Sequence, residues 1–409
     1  MSEYHTRLVD PLLSEILSDL PAIMLVGPRA TGKTTTAVRH AKSTVRLDRP
    51  AEAAAMRADA DAALRGLPEP ILLDEWQAVP EVLGAVKRSV DADSRPGRYL
   101  LTGSVRADLD AATWPGTGRV VRVAMYPLTV GEQLARPVRP LVDRIAAGDE
   151  LIPATDTPDL RGYVDLALRG GFPEASLDLT ERARAWWLEG YVDQLLTRDA
   201  LTVDGGRDPA RLRRYFEAFA PNSAGLADHK TIYDAAGVNR KTALAYERLL
   251  QNLMVVDLLP AWTSNRLKRL TRAPKRYLVD SSLLGGTLGV DTNAVLRDGD
   301  LLGRLLDTFV TAQLRAEATV ADTRPRLYHA RQEQGRHEID VVVELGGQRV
   351  IAIEVKSSSA PTRSGVRHLQ WFRDQLADRF IGGVVLHTGP DSYALDEGIV
   401  AAPISTLWA

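Results

Sequence analysis

The sequence predicts an α/β chain of several domains with a phosphate-binding loop near its N-terminus. Three observations carry that reading. Gly27-Pro28-Arg29-Ala30-Thr31-Gly32-Lys33-Thr34 fits the pattern G-x-x-x-x-G-K-[ST]. The apolar run Ala22–Val26 precedes it as a buried strand, and residues 35–42 follow as a helix. A second apolar run, Ile71-Leu72-Leu73, ends in two adjacent acids, Asp74 and Glu75.

This order of elements is what phosphate binding requires. Glycines let backbone N–H groups turn inward around phosphate oxygens, and the following helix adds positive partial charge. Lys33 is placed to reach the β- and γ-phosphates of ATP, and the Thr34 hydroxyl to hold Mg²⁺. The binding set therefore runs from Gly27 through Thr34 to Thr35. Asp74 is expected in the Mg²⁺ shell, and Glu75 is expected to orient the attacking water. A third strand, 98–102, leads into Thr102 and Ser104. Their hydroxyls suit contact with that water or the γ-phosphate; plain turn chemistry is the other reading.

Composition bounds the remainder. At 409 residues the chain exceeds one core. It is 45% hydrophobic and 25% charged, which is ordinary globular composition. A net charge of −2 predicts no global attraction to nucleic acid, so any such site is a local patch. With 0 cysteines there are no disulfides, thiolate nucleophiles or cysteine zinc sites. Acids throughout Met1–Leu20 are unlike a secretory signal, and no apolar run reaches transmembrane length. A cytoplasmic setting is expected. The 7 histidines are scattered without zinc-ligand spacing.

Along the chain, residues 1–135 alternate strand and helix signals, with strands at 22–26, 44–47, 70–74, 98–102 and 119–125. Residues 136–159 read as a connector and 160–220 as helical, with Gly170–Glu174 a tight turn. Trp186, Trp187 and Tyr191 read as core. Between 223 and 290 a short helix, a Gly237 turn, a helix capped by Asn239 and a strand at 255–259 together suggest a winged helix. Arg240 and Lys241 open its second helix. A basic run holding Arg266, Lys268, Arg269, Arg272, Lys275 and Arg276 follows where a wing would be. These cations suit DNA phosphates; a solvated face or a protein-docking surface is the alternative. Residues 291–409 form a second α/β domain.

In that domain, 337–344 and 350–356 read as a hairpin. Burying Ile339, Val341, Val343, Ile351, Ile353 and Val355 on one face requires pairs summing to an even number, hence a three- or five-residue loop. The other face then gathers Glu338, Asp340, Glu354 and Lys356. Asp340 and Glu354 suit a hard divalent cation, and Lys356 suits a phosphate oxygen or hydroxide. Cross-strand ion pairs on a solvated face are the alternative.

At this point the chain resembles the prokaryotic AAA-type ATPases that carry a C-terminal domain of unknown function. Gly27–Thr34, Leu73-Asp74-Glu75 and Leu101–Ser104 carry the ATPase part. Gly118-Arg119, Tyr126-Pro127-Leu128, Gly171–Glu174 and Tyr191–Asp199 are similar to further family motifs. Gly303–Leu314, Glu338-Ile339-Asp340 and Ile353–Lys356 carry the C-terminal part. The resemblance implies a P-loop NTPase core at 1–135, a connector and helical lid at 136–222, the winged helix at 223–290 and a restriction-endonuclease-like domain at 291–409. It also implies a homo-oligomer in which Arg119 acts as an arginine finger; a structural ion pair is the alternative. The nuclease-like motif adds Asp307 as a third metal ligand, where the family usually has Glu, about 1.5 Å longer in reach. Together these readings predict a Mg²⁺-dependent ATPase whose ATP state controls a DNA-binding, nuclease-like module. The competing reading is a nucleotide-gated switch whose nuclease-like domain is inactive and binds a protein partner.

Overall fold

The computed structural model describes residues 4–104, 118–136, 138–200, 208–225, 228–264, 272–332 and 337–409. The chain divides into two compact units. One comprises 1–127 with 251–254, the other 128–250 with 255–409.

The first unit is built on five strands: β1 (Ala22–Val26), β2 (Ser43–Arg46), β3 (Ile71–Asp74), β4 (Tyr99–Gly103) and β5 (Val121–Ala124). They form one sheet in the order β2-β3-β4-β1-β5, and every pairing is parallel. Buried β1, β3 and β4 are continuous apolar runs, because helices cover both faces of a parallel sheet and leave no polar side. The helices are α1 (Val9–Asp19), α2 (Lys33–Arg39), α3 (Pro50–Leu64) and α4 (Val82–Ala92). Met56, Leu64, Val82, Val86 and Val90 from α3 and α4 share one core with Met24, Leu73 and Leu101. Strand order decides the site. β4 lies between β1 and β3, so the ends of all three strands meet at one edge.

In the second unit, residues 136–159 are not merely a connector, because Leu141–Ala147 is helical with Leu141 and Val142 buried. Helices Leu160–Arg169, Glu181–Gln194 and Pro209–Phe219 bear out the helical reading of the next stretch. Trp186 corrects the core assignment, being 70% exposed, whereas Trp187 stacks on Tyr191 and packs against Phe172.

Helix His229–Ala235, a turn at Gly237 and helix Arg240–Asn252 follow. The Asn239 side chain accepts from Thr242 N at 2.9 Å and starts the second helix, as expected. Strands β6 (Val256–Leu259) and β7 (Lys275–Leu278) then pair antiparallel.

The C-terminal sheet has the order β12-β13-β11-β10-β9-β8. Its strands are β8 (Arg326–Arg331), β9 (Glu338–Glu344), β10 (Val350–Val355), β11 (Phe380–His387), β12 (Tyr393–Asp396) and β13 (Ile399–Pro403). The 22-residue helix Gly299–Val320 packs against β8 and β10. Helix Arg367–Leu376 packs against β9, β10 and β11.

Candidate functional site

The phosphate loop starts where β1 ends. A Cβ on Gly27 would lie 2.1 Å from Met125 O, so only glycine lets the loop pass the start of the next segment. Gly32 has φ +87°, which directs the chain into α2. The buried Lys33 ammonium donates to Pro28 O at 2.6 Å, across the loop. Thr31 Oγ1 donates to the same carbonyl at 2.9 Å. Gly27 and Pro28 are buried, Arg29 is half-buried, and Ala30 and Thr35 are exposed.

The strand ends bring the second and third motifs to this loop. Asp74 is buried, and its Oδ1 accepts from Thr34 Oγ1 at 2.7 Å and from Thr102 Oγ1 at 2.5 Å. Thr34, Asp74 and Thr102 are thus joined by one carboxylate oxygen. Glu75 sits in the left-handed region at φ +56°, an uncommon conformation for a residue with a Cβ. Its carboxylate accepts a hydrogen bond from Gln77 Nε2. Buried Ser104 lies beside the same amide, 3.5 Å from Gln77 Nε2.

Two residues of this site escaped sequence reasoning. Buried Arg7 donates to Thr31 O and to Tyr126 O, both at 2.7 Å, fastening the loop to the segment after β5. Gln77 holds Glu75. Neither belongs to a motif; their signal is spatial.

Arg119 is elsewhere. It precedes β5, whose Val121 pairs with Ile23 near the start of β1, and its guanidinium pairs with Asp91 at 2.7 Å. Five residues of strand rise place it about 16 Å along the sheet from the end that carries the loop. It is not part of the site in this chain.

The C-terminal acids are arranged differently from the sequence expectation. The hairpin register is as derived: Val350–Glu344, Ile351–Val343, Ala352–Val342 and Ile353–Val341 all sum to one even number, with residues 345–349 as the loop. One step further come Glu354 and Asp340. The register between β8 and β9 shifts between Tyr328 and Ala330. This bulge moves Ile339 out of the expected set and into the cluster of Val342, Val350, Ala352, Leu369 and Phe372.

The surroundings of the acids bear on the metal reading. Among the described residues no group of three or more His, Asp or Glu is placed to hold a metal ion. A lysine stands among these acids instead. Lys275 Nζ lies 2.6 Å from Asp307 Oδ2, 3.1 Å from Asp340 Oδ1 and 4.0 Å from Glu338 Oε1. Asp307 Oδ1 accepts from Tyr277 OH at 3.2 Å and Thr311 Oγ1 at 3.1 Å, and Asp340 Oδ2 accepts from Val355 N at 3.0 Å. Asp307 and Asp340 therefore spend their oxygens on protein donors. Lys356 Nζ lies 2.9 Å from Glu354 Oε2.

Exposed Arg240 and Lys241 open the second helix of the helix–turn–helix, and Arg272 Nη1 donates to Arg331 O at 2.8 Å. Lys268 and Arg269, with Arg266, lie outside the described residues.

Comparison with known proteins follows this division. A family model described as an AAA domain matches residues 19–134. Two models for domains of unknown function, DUF8612 and DUF4143, match 160–294 and 302–407. The uncharacterized protein Rv2008c of Mycobacterium tuberculosis is 30% identical over 397 residues, covering 96% of this chain and 82% of that protein. The uncharacterized protein Mb2031c of Mycobacterium bovis matches to the same extent. The chain belongs to the family of these mycobacterial proteins. The Walker-type ATPase PABY2304 of Pyrococcus abyssi is 12% identical, with a TM-score of 0.39 over 69% of this chain and 94% of that one. That likeness is too distant to carry an argument.

The AAA domain is thus a P-loop ATPase core of α/β architecture, and its electrostatics match. Burial pulls Lys33 down to about 8, against the upward pull of Glu75 and Asp74. Burial pushes Glu75 above the usual carboxylate range, opposed by Lys33. The C-terminal acids show the reverse balance, around a lysine from the segment matched by DUF8612. Carboxylates around Lys275 overcome its burial and hold it well above an ordinary lysine. Burial works to raise Asp340, yet the Lys275 charge and the Val355 N–H hold it below the usual range. Glu354 is pushed up to about 7 by burial, despite Lys356. Among the described residues no helix is long and apolar enough to cross a membrane.

Proposed function

We propose that the AAA domain binds and slowly hydrolyses ATP, and that its nucleotide state governs a C-terminal module that binds DNA without cutting it. One observation carries the first part: the buried Lys33 ammonium donates to the Pro28 carbonyl among the described residues, while Thr34, Asp74 and Thr102 converge beside it. A buried cation with so little compensation fits an arriving triphosphate. Thr34 and Asp74 offer the hard oxygens that Mg²⁺ takes. Bound Mg²⁺ would neutralise charge on the β- and γ-phosphates. Glu75, steadied by Gln77, would orient the attacking water, and Thr102 and Ser104 would contact that water or the γ-phosphate. Gly27–Thr35 would cradle the phosphates.

The second part departs from the nuclease expectation on a specific observation. The Lys275 ammonium sits against Asp307 and Asp340, where a metal-dependent nuclease would need its cation. This favours a winged-helix and nuclease-like module that binds DNA through Arg240, Lys241 and the 266–276 segment. A partner protein docking to an inactive nuclease-like domain is the second reading.

Lys33→Ala is expected to lose phosphate affinity, whereas Glu75→Gln is expected to retain ATP and lose turnover. Calorimetric titration and phosphate release measure the two. Wild-type ATP affinity in Lys33→Ala would remove the assignment. Cleavage of any DNA form at millimolar Mn²⁺, lost in Asp340→Asn, would restore the nuclease reading.

A further inference from the structure

A cleft of about 600 Å³ opens in the helical part of the second unit, between three helices. Helix Glu181–Gln194 contributes Trp186, Glu189, Gly190 and Asp193, which recur at helical spacing on one face. Helix Pro209–Phe219 contributes Arg213 and Glu217. The end of helix Ser282–Leu288 closes the third side. Gly286 permits that approach, since a Cβ there would lie 2.8 Å from Leu188 Cβ.

Three features of the cleft serve nothing inside the chain. Trp186 is 70% exposed and makes no ring contact among the described residues. The side chains of Glu189 and Glu217 are exposed, with no hydrogen bond or ion pair among the described residues. Gly190 sits in the interior of its helix, where glycine costs stability. Nothing lies within 4 Å of the place its Cβ would take, so the missing side chain makes room for no neighbour. The other two charges cancel, because Arg213 pairs with Asp193. The cleft therefore offers an open indole, a bare stretch of helix and two uncompensated carboxylates.

We propose that this cleft binds an arginine-bearing segment of a partner protein. The guanidinium lies on the Trp186 ring and donates to Glu189 and Glu217, and the segment's backbone passes over Gly190. The charge of the cleft selects a cation, and the aromatic face holds a cation by its negative π-surface. Arginine suits both, since its planar group stacks on rings and presents paired N–H donors to carboxylates. The volume lies in the range of ligand pockets and leaves room for residues beside the arginine. This inference depends on neither the ATP nor the DNA reading.

The test uses the full chain and fluorescein-labelled Gly-Ser peptides that carry arginine, lysine or citrulline at the same positions. Anisotropy titrations at several salt concentrations give the affinities. The arginine peptide is expected to bind most tightly and the lysine peptide more weakly. Citrulline, which keeps the shape of arginine without its charge, is expected to bind weakest. Trp186→Ala is expected to weaken arginine binding about threefold to thirtyfold, with Trp186→Phe between. Glu189→Gln combined with Glu217→Gln is expected to weaken it and to flatten its salt dependence. Gly190→Leu is expected to block the cleft while the denaturation midpoint holds or rises, which separates lost binding from lost folding. Equal binding of the arginine and citrulline peptides overturns the inference. So do Trp186→Ala and Gly190→Leu that are both silent, and so does an arginine peptide that fails to bind at low salt. Sedimentation in which copies of the chain associate, and Trp186→Ala separates them, gives the cleft to a second copy and overturns it too.

Discussion

Arg7 is the residue on which the phosphate loop most visibly depends without belonging to it. Its guanidinium supplies charged hydrogen bonds to Thr31 O and Tyr126 O from a buried position. Such bonds are worth about 1.5–3 kcal/mol each, and unpaired buried carbonyls add their own cost. Arg7→Ala is therefore expected to lower the denaturation midpoint of the AAA domain and weaken ATP binding about tenfold or more. Unchanged denaturation and titration curves would show that the loop holds itself. Lys33 yields a pH prediction of definite sign. An unperturbed lysine titrates near 10.4, and burial brings Lys33 to about 8 in the nucleotide-free fold. Between those values the folded state binds fewer protons than the unfolded one, so this group's contribution to stability improves as pH rises from 8 to 10. Phosphate oxygens favour the charged form, so ATP binding at pH 8.5 is expected to take up protons and ATP affinity to fall as pH rises further. Calorimetry in two buffers of different ionisation enthalpy measures the uptake. Equal enthalpies at pH 8.5 would mean that Lys33 is already fully charged. Lys33, Thr34, Asp74 and Glu75 were legible as types and spacings. Arg7 and Gln77 were not, because their roles depend on carbonyls and a carboxylate that only the fold brings near.

At the scale of elements, Lys275 ties β7 to helix Gly299–Val320 and to β9. Breaking a buried ion pair from one side leaves uncompensated charge and costs about 3–5 kcal/mol. Lys275→Met is expected to destabilise the protein by that order in chemical denaturation. Adding Asp307→Asn to the same chain is expected to recover a substantial part, because it removes one orphaned carboxylate. Lys275→Met with wild-type stability, or a double variant no better than the single, would show that the cluster is not a linked ion pair. The hairpin register could be derived in advance from strand alternation of period two, although Val342, Val350 and Ala352 bury the opposite face as well, so the burial of Val341, Val343, Ile351 and Ile353 does not fix the register alone. The bulge in β9 could not, because it answers to the pairing partner β8 rather than to the hairpin itself. For the same reason Asp340 and Glu354 read correctly as neighbours, while the occupant of the space between Asp307 and Asp340 did not. Lys275 is 32 residues from one acid and 65 from the other.

For the whole molecule, a catalytic Arg119 would require an oligomer, the state that the resemblance implies. At the sheet end remote from its own phosphate loop, it serves catalysis only if a neighbour's nucleotide approaches that edge. Arg119→Ala is then expected to keep ATP affinity and lose about 10³-fold or more in turnover. Mixing Arg119→Ala with Lys33→Ala subunits is expected to regain activity, since an intact loop from one would meet an intact arginine from the other. An Arg119→Ala protein that hydrolyses ATP normally would reduce Arg119 to its ion pair with Asp91. The sequence by itself determined the phosphate loop, the acidic strand end, the helix–turn–helix with its Asn239 cap and the hairpin register. Each of these follows from local spacing, side-chain period or turn chemistry within a few dozen residues. Only the tertiary structure decided that Arg7 braces the loop, that Arg119 lies away from it, that Lys275 stands among the C-terminal acids and that Trp186 shares a cleft with Glu189 and Glu217. Those facts depend on which distant segments pack together. Packing follows the burial of whole elements, and the position of one charged side chain along the sequence carries little information about it.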